Sequence, residues 1–152
     1  MEEYLIHTKD SFNRIADAFD EEDQENGILQ WMRNSVYGIY LSNFKKGDKL
    51  LELNAGTGID AVYLASKGIN VFATDISDEM ISKIKAKISE RNLQEMVRVE
   101  NYSFGDLDKI NEKDFNGAVS NFGGLNCIND FDRLSESLGE RIKPGGKFIA
   151  VV

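Results

Sequence analysis

Two kinds of hydrophobic spacing divide the chain. In residues 1–45, Phe12, Ile15, Ala16 and Phe19 recur at helix spacing, and Ile28, Trp31, Met32, Val36, Ile39 and Tyr40 do the same. The acidic run from Asp20 to Gly27 between them reads as turn-prone. The aromatic residues of this segment are expected to pack into a core. From Asp48 the pattern becomes short apolar runs alternating with helical stripes. Lys49 to Leu53 reads as a buried strand, Asn54 to Gly58 as a glycine-bearing turn, and Ile59 to Ser66 as a helix closed by Gly68. Asn70 to Thr74 is a second strand ending at Asp75. Ser77 suits a helix N-cap, with Asp78 and Glu79 at the positive end of the helix dipole and Met80, Ile81, Ile84 and Ile88 as its apolar stripe.

Val97 to Glu100 and Gly117 to Asn121 are the third and fourth strands. Leu134, Leu138 and Ile142 stripe another helix, Lys143-Pro144-Gly145-Gly146 reads as a turn, and Lys147 to Val152 opens a fifth strand. Strands alternating with helices predict an α/β fold, a Rossmann-like, doubly wound, mostly parallel sheet with helices on both faces. In such sheets ligands bind outside the carboxyl ends of the strands, near the point where strand order reverses. The glycine turn and Asp75 both stand at such ends.

Length and composition narrow the classes. At 152 residues, 41% hydrophobic and 29% charged, the chain suits one globular domain. No apolar run is long enough to span a bilayer, and no membrane partner is expected. Met1-Glu2-Glu3 does not resemble the start of a secretory signal, and the single cysteine, Cys127, excludes an internal disulfide; a cytoplasmic address is expected. The net charge of −8 disfavours a nucleic-acid partner. Lys83, Lys85 and Lys87 are read as a solvated helix face flanked by Glu79 and Glu90. The only histidine, His7, lies in a polar stretch and is read as a surface residue, so no metal site is expected.

Two motifs carry chemistry. In Glu52-Leu53-Asn54-Ala55-Gly56-Thr57-Gly58 the glycines permit close approach of backbone to ligand, and the helix that follows offers free N–H groups. Asp75, on the next strand, is placed to accept hydrogen bonds from a ribose diol. The same pair of features describes a nicotinamide dinucleotide site, and Gly56-Thr57-Gly58-Ile59-Asp60-Ala61 satisfies G-x-G-x-x-A. Against an NAD(P) oxidoreductase stand the charged Glu52 just before the turn, the helical segment preceding the first strand, and the Lys-Pro-Gly-Gly turn, which has no part in such a site.

On these residues the chain resembles the class I, Rossmann-like S-adenosylmethionine-dependent methyltransferases, in the small-molecule group, over residues 45–152. The family's motif I matches Glu52 to Gly58, with Asn54 in place of the first glycine. Its ribose-binding acid matches Asp75, followed by Ile76, Ser77 and Met80 beside adenine. Ser103 and Phe104 stand where the family supplies an adenine contact. The loop from Ser120 to Asn126, with Asn121 and Phe122, matches the one beside the methionine moiety.

The resemblance therefore implies S-adenosyl-L-methionine as cofactor, S-adenosyl-L-homocysteine as product, and a small-molecule acceptor. The N-terminal segment, residues 1–45, is similar to the family's lid helices, which cover a core over residues 46–152. Ala16 and Asp20 fit the family's lid pattern, whereas Phe12 and Phe19 replace tyrosines. Trp31 and Arg33 are further candidates to approach the cofactor. Tyr4, His7 and Tyr37 are candidate general bases by residue type alone, and no catalytic residue is assigned.

The family's sheet continues past strand 5 with a sixth and an antiparallel seventh strand, whereas this chain stops at Val152. A fold truncated after strand 5 is expected, which makes a cofactor-binding module without turnover a further alternative. The exposed edge of strand 5 invites a homodimer.

Overall fold

The computed structural model describes residues 3–152; Met1 and Glu2, read above for their composition, lie outside the described residues. The N-terminal segment forms three helices, α1 (Glu3–Ile15), α2 (Phe19–Glu25) and α3 (Gly27–Asn43). Then follow β1 (Lys49–Leu53), α4 (Ile59–Ser66), β2 (Asn70–Asp75), α5 (Asp78–Glu90), β3 (Val97–Asn101), β4 (Phe115–Ser120), α6 (Phe131–Gly139) and β5 (Ile142–Ala150). Short 3-10 helices at Phe104–Lys109 and Gly124–Cys127 flank β4. The five strands form one sheet in the order β3-β2-β1-β4-β5, and every pairing is parallel. Strand order reverses between β1 and β4, so the loops after these two strands open a crevice at the carboxyl edge.

Burial on both faces explains why the central strands read as continuous apolar runs rather than alternating ones. One face takes Leu50, Val71, Ala73 and Val119 against α3, α4 and α5, through Val36, Tyr40, Leu64, Ile84 and Ile88. The other takes Leu51, Leu53, Phe72 and Ala118 against Leu107, Leu134 and Leu138. By the same alternation Glu52 points to the α3–α4 face, where it is 4% exposed.

Four expectations change. The acidic run is helical, because Asp20, Glu21 and Glu22 occupy the first turn of α2, where negative charge is favoured, and Asp23 is buried. Asn26 then ends α2 and starts α3, its side chain accepting from the Ile28 and Leu29 amides at 3.1 Å each. Ile142 belongs to β5, not to the preceding helix, and Lys143 to Gly146 bulge out of that strand between the pairs Phe115–Ile142 and Gly117–Lys147. Trp31 is not core: it is 70% exposed, with Ile28 exposed beside it, because α3 turns its Val36–Tyr37–Tyr40 side to the sheet. The lysine face of α5 is not simply solvated, since Lys83 pairs with Asp17 and Lys87 with Asp20 of the N-terminal segment. His7 is at the surface, and no helix among the described residues is long and apolar enough to cross a membrane.

Gly58 joins the glycine turn to α4 at φ +80°, and a Cβ there would lie 2.9 Å from Ile84 Cγ1. Gly38, in the middle of α3, has open space where a Cβ would go. Gly58→Ala should therefore cost about 2 kcal/mol from backbone strain and overpacking. Thermal denaturation should show a Tm lower by about 5 °C for a chain of this size. Gly38→Ala should leave Tm unchanged or raise it, since it relieves about 0.5–1 kcal/mol of helix penalty.

Candidate cofactor-binding site

The glycine turn is built by its own backbone and by its neighbours. Asn54, Gly56 and Gly58 have φ of +48°, +58° and +80°, the left-handed conformations that asparagine and glycine tolerate. The Ala55 amide donates to the Thr74 carbonyl at 2.9 Å, holding the turn against β2. The Asn54 side chain bridges to β4: its amide donates to the Asn121 carbonyl at 2.8 Å, and its Oδ1 accepts from the Ser120 hydroxyl at 2.6 Å. The turn is thus fixed between the ends of the two strands where the order reverses.

Asp75 closes the other side. Its Oδ2 accepts from the Gly56 amide at 2.8 Å and its Oδ1 from the Ser77 amide at 2.9 Å. A carboxylate has about four acceptor positions, so capacity remains for a ligand beyond these backbone donors. Burial pushes the Asp75 carboxyl above the usual aspartate range, and the backbone N–H groups of Ser77 and Gly56 pull it partly back. Glu52 has no such help. Burial, reinforced by the nearby Asp60 charge, drives its carboxyl well above the usual glutamate range, and its Oε2 has no partner among the described residues.

Beneath the crevice runs a buried polar chain. Asp60, in the first turn of α4, accepts from Arg33 and from the Tyr37 hydroxyl at 2.9 Å on Oδ1, and from the Asn121 side chain at 2.7 Å on Oδ2. Arg33 also reaches Asp23 of α2 at 2.5 Å. Its guanidinium lies 4.5 Å from the centroid of the Phe122 ring. Asn121 Oδ1 accepts from the Phe122 amide at 3.0 Å, and Phe122 sits at φ +51°.

Glu52, Asn54, Ala55, Gly56, Thr57, Asp75, Ile76, Met80, Ser103, Phe104, Asn121 and Phe122 line one cavity of about 180 Å³. Gly58 and Ser77 do not line it. Gly58 packs on Ile84, and the Ser77 hydroxyl caps α5 by accepting from the Met80 amide at 3.1 Å. The Ser103 hydroxyl donates to Asp106 at 2.5 Å, which fixes the start of the 3-10 helix bearing Phe104.

Of the N-terminal residues, Phe12, Phe19 and Arg33 line the cavity and Trp31 does not. Arg33 is 7% exposed with both terminal nitrogens on carboxylates, so its salt bridges are buried, not surface ones. Tyr4, His7 and Tyr37 are not on the cavity wall. Tyr4 donates to Asn129, His7 faces solvent, and burial beside Asp60 drives the Tyr37 hydroxyl far above its ordinary range.

Sequence reading missed Leu5, Thr8, Asp60, Tyr102 and Cys127, which also line the cavity. The i, i+3, i+7 spacing of Leu5, Thr8 and Phe12 was the available signal for the first two. Asp60 gave none, because a first-turn aspartate is ordinary helix chemistry.

The sequence matches the family described as "Methyltransferase domain" over residues 50–146. A demethylmenaquinone methyltransferase of Symbiobacterium thermophilum is 25% identical over 99% of this chain and 60% of its own length. An S-adenosyl-L-methionine-dependent Diels-Alderase of Talaromyces variabilis is 27% identical over 69% of this chain and 36% of its own. A crystal structure from Methanococcus maripaludis, titled as an S-adenosyl-L-methionine-dependent methyltransferase, superimposes with a TM-score of 0.74 at 18% identity, over 90% of this chain and 62% of that one; it shows the shared fold. The chain thus spans less than two thirds of the length of each of these relatives. With motif I on the turn after β1, an acid at the end of β2 and the family match running across the sheet, the chain belongs to the methyltransferase domain family, in its class I, Rossmann-like, S-adenosylmethionine-dependent branch.

Proposed function

We propose that this chain binds S-adenosyl-L-methionine in the crevice between the ends of β1, β2 and β4 and transfers its methyl group to a small-molecule acceptor, leaving S-adenosyl-L-homocysteine. The observation that carries this reading is the pairing of the glycine turn with Asp75. One carboxylate is pinned by the Gly56 and Ser77 amides yet keeps free acceptor positions at the cavity wall. A ribose diol supplies two donors that suit it. The unpartnered Glu52 Oε2 suits a cationic amino group at the methionine end. Ile76, Met80 and Phe104 offer apolar surface for a purine, with Ser103 beside them, and Asn121 and Phe122 flank the remaining wall.

The cofactor, when bound, supplies an already activated methyl group, so the protein's part is to position it and keep the site dry. Residues 3–45 act as a cover: Leu5, Phe12 and Phe19 close the cavity with apolar surface. The net charge of −8 and this apolar wall favour a small molecule over nucleic acid. The single cysteine favours a reducing, cytoplasmic setting.

The Diels-Alderase relative motivates a second reading, a chain that binds the cofactor without methyl transfer. The edge strand β5, with Phe148 39% exposed, supports a further proposal of pairing with a second copy.

Calorimetry should show S-adenosyl-L-homocysteine binding and no NAD binding. Asp75→Ala should weaken the former by about tenfold or more, through lost charge-assisted hydrogen bonds. Tighter binding of NAD, or an unchanged affinity in the variant, would overturn the cofactor assignment. Formation of S-adenosyl-L-homocysteine with a panel of phenols, quinols, amines and tRNA then separates turnover from binding and tests the acceptor class.

Glu52 gives a pH test. Its folded-state pKa is raised, so the fold favours the protonated carboxyl. That contribution is full below the ordinary glutamate range and is lost as pH rises through the folded value. Wild-type Tm should therefore fall relative to Glu52→Gln as pH rises above the ordinary glutamate range. Parallel profiles would refute the unpaired buried acid. In sedimentation velocity, a concentration-dependent shift from monomer to dimer is expected, and a strict monomer would remove the edge pairing.

A further inference from the structure

α3 is anchored by apolar packing on the sheet, whereas α1 and the turn after it meet α5 through polar contacts. α1 has no buried residue among those described. Lys9 pairs with Asp78 at 2.6 Å, the Ser77 hydroxyl donates to Asn13 at 2.6 Å, and Asp17 pairs with Lys83 at 2.6 Å. Such exposed contacts are each worth little and weaken with salt.

Asp20 is different. Its Oδ1 accepts from the Thr57 hydroxyl of the glycine turn at 2.5 Å, and its Oδ2 pairs with Lys87 of α5 at 2.5 Å. This pair is the more sheltered one, with side chains 34% and 17% exposed. One carboxylate thus joins α2, the turn and α5. The preceding residue, Phe19, lays its ring over Gly56, 3.9 Å from where a Cβ would stand. The cavity beneath holds about 180 Å³, below the roughly 300–1,000 Å³ of sites that enclose drug-sized ligands. α2 and Phe19 thus stand over the part of the cavity that the glycine turn lines.

We propose that Asp20 is a positioning residue that latches α2 and Phe19 over the glycine turn through Thr57 and Lys87, and so sets the rate at which the nucleoside cofactor leaves. The identity of the ligand rests on the reading above; the latch itself rests on the contacts of Asp20. The two bonds of the latch have separable chemistry. Asp20→Asn keeps an acceptor for Thr57 and loses the charge facing Lys87. Asp20→Ala loses both. Lys87→Met keeps the stem and loses only the ion pair.

Two measurements test it. Surface plasmon resonance with S-adenosylhomocysteine should give a dissociation rate about tenfold faster in Asp20→Ala, the loss expected for a hydrogen bond to a charged group. Asp20→Asn and Lys87→Met should fall between it and wild type. Wild-type dissociation should quicken as NaCl rises from about 0.05 to about 0.5 M, and the response should flatten in Lys87→Met. Hydrogen exchange on the ligand-free protein should rise in residues 19–25 of Asp20→Ala, with β1, β2 and β4 unchanged.

Dissociation within twofold of wild type in Asp20→Ala, or exchange that rises equally across the sheet, would overturn the latch. Failure of wild type to bind S-adenosylhomocysteine would overturn the cofactor reading instead, and the exchange experiment would still decide the latch.

Discussion

Asp60 is buried at 4% exposure, and a carboxylate cannot be carried there as a lone anion. The fold answers by converging three donors on it from two distant parts of the chain. Arg33 and Tyr37 come from α3, and Asn121 comes from the loop after β4. This one group therefore ties the helix that carries the N-terminal cover to the strand end that forms the far wall of the crevice. Removing one partner of such a buried pair typically costs about 3–5 kcal/mol, because the remaining charge is stranded. The positions of Phe122 and of the Asn54 bridge follow from where Asp60 holds Asn121.

Three carboxyl groups near the crevice meet burial in different ways, and the differences track what each can do. Asp60 is paired with a guanidinium and takes two further donors. Asp75 is held by backbone N–H groups and keeps capacity for a ligand. Glu52 has an oxygen with no partner and relieves its burial by favouring the proton. A site built this way is uneven: Asp75 keeps acceptor capacity, and Glu52 keeps an unpartnered oxygen. The candidate bases by residue type stand away from the cavity wall, which leaves positioning as the chain's evident contribution.

A methyltransferase and a Diels-Alderase both stand among the relatives, so family likeness alone does not choose the reaction. Here Asp17, in the turn after α1, and Asp20, on α2, meet lysines of α5 in contacts that salt and solvent weaken, while the sheet beneath is sealed by apolar side chains. A rigid floor under a reversible roof suits a ligand that must be enclosed and then released.

Local rules were enough for much of this. Alternating apolar runs and stripes specified the parallel sheet. Ser77 was legible as a cap because its side chain bonds within its own turn. The glycine turn and Asp75 were legible because each needs only its own short segment to stand at a strand end. Local rules failed wherever partners lie far apart in sequence. The acidic run became a helix because Asp20 and Asp23 find Lys87, Thr57 and Arg33, and composition alone could not show those cations arriving. Trp31 shares its helix spacing with core residues, but which side of α3 faces the sheet is settled by packing against β1 and β4. The sequence by itself determined the order of the elements and the residues that end the strands. Only the tertiary structure decided which charges are shared, because pairing a buried charge is a contact between distant segments and leaves no trace in local periodicity.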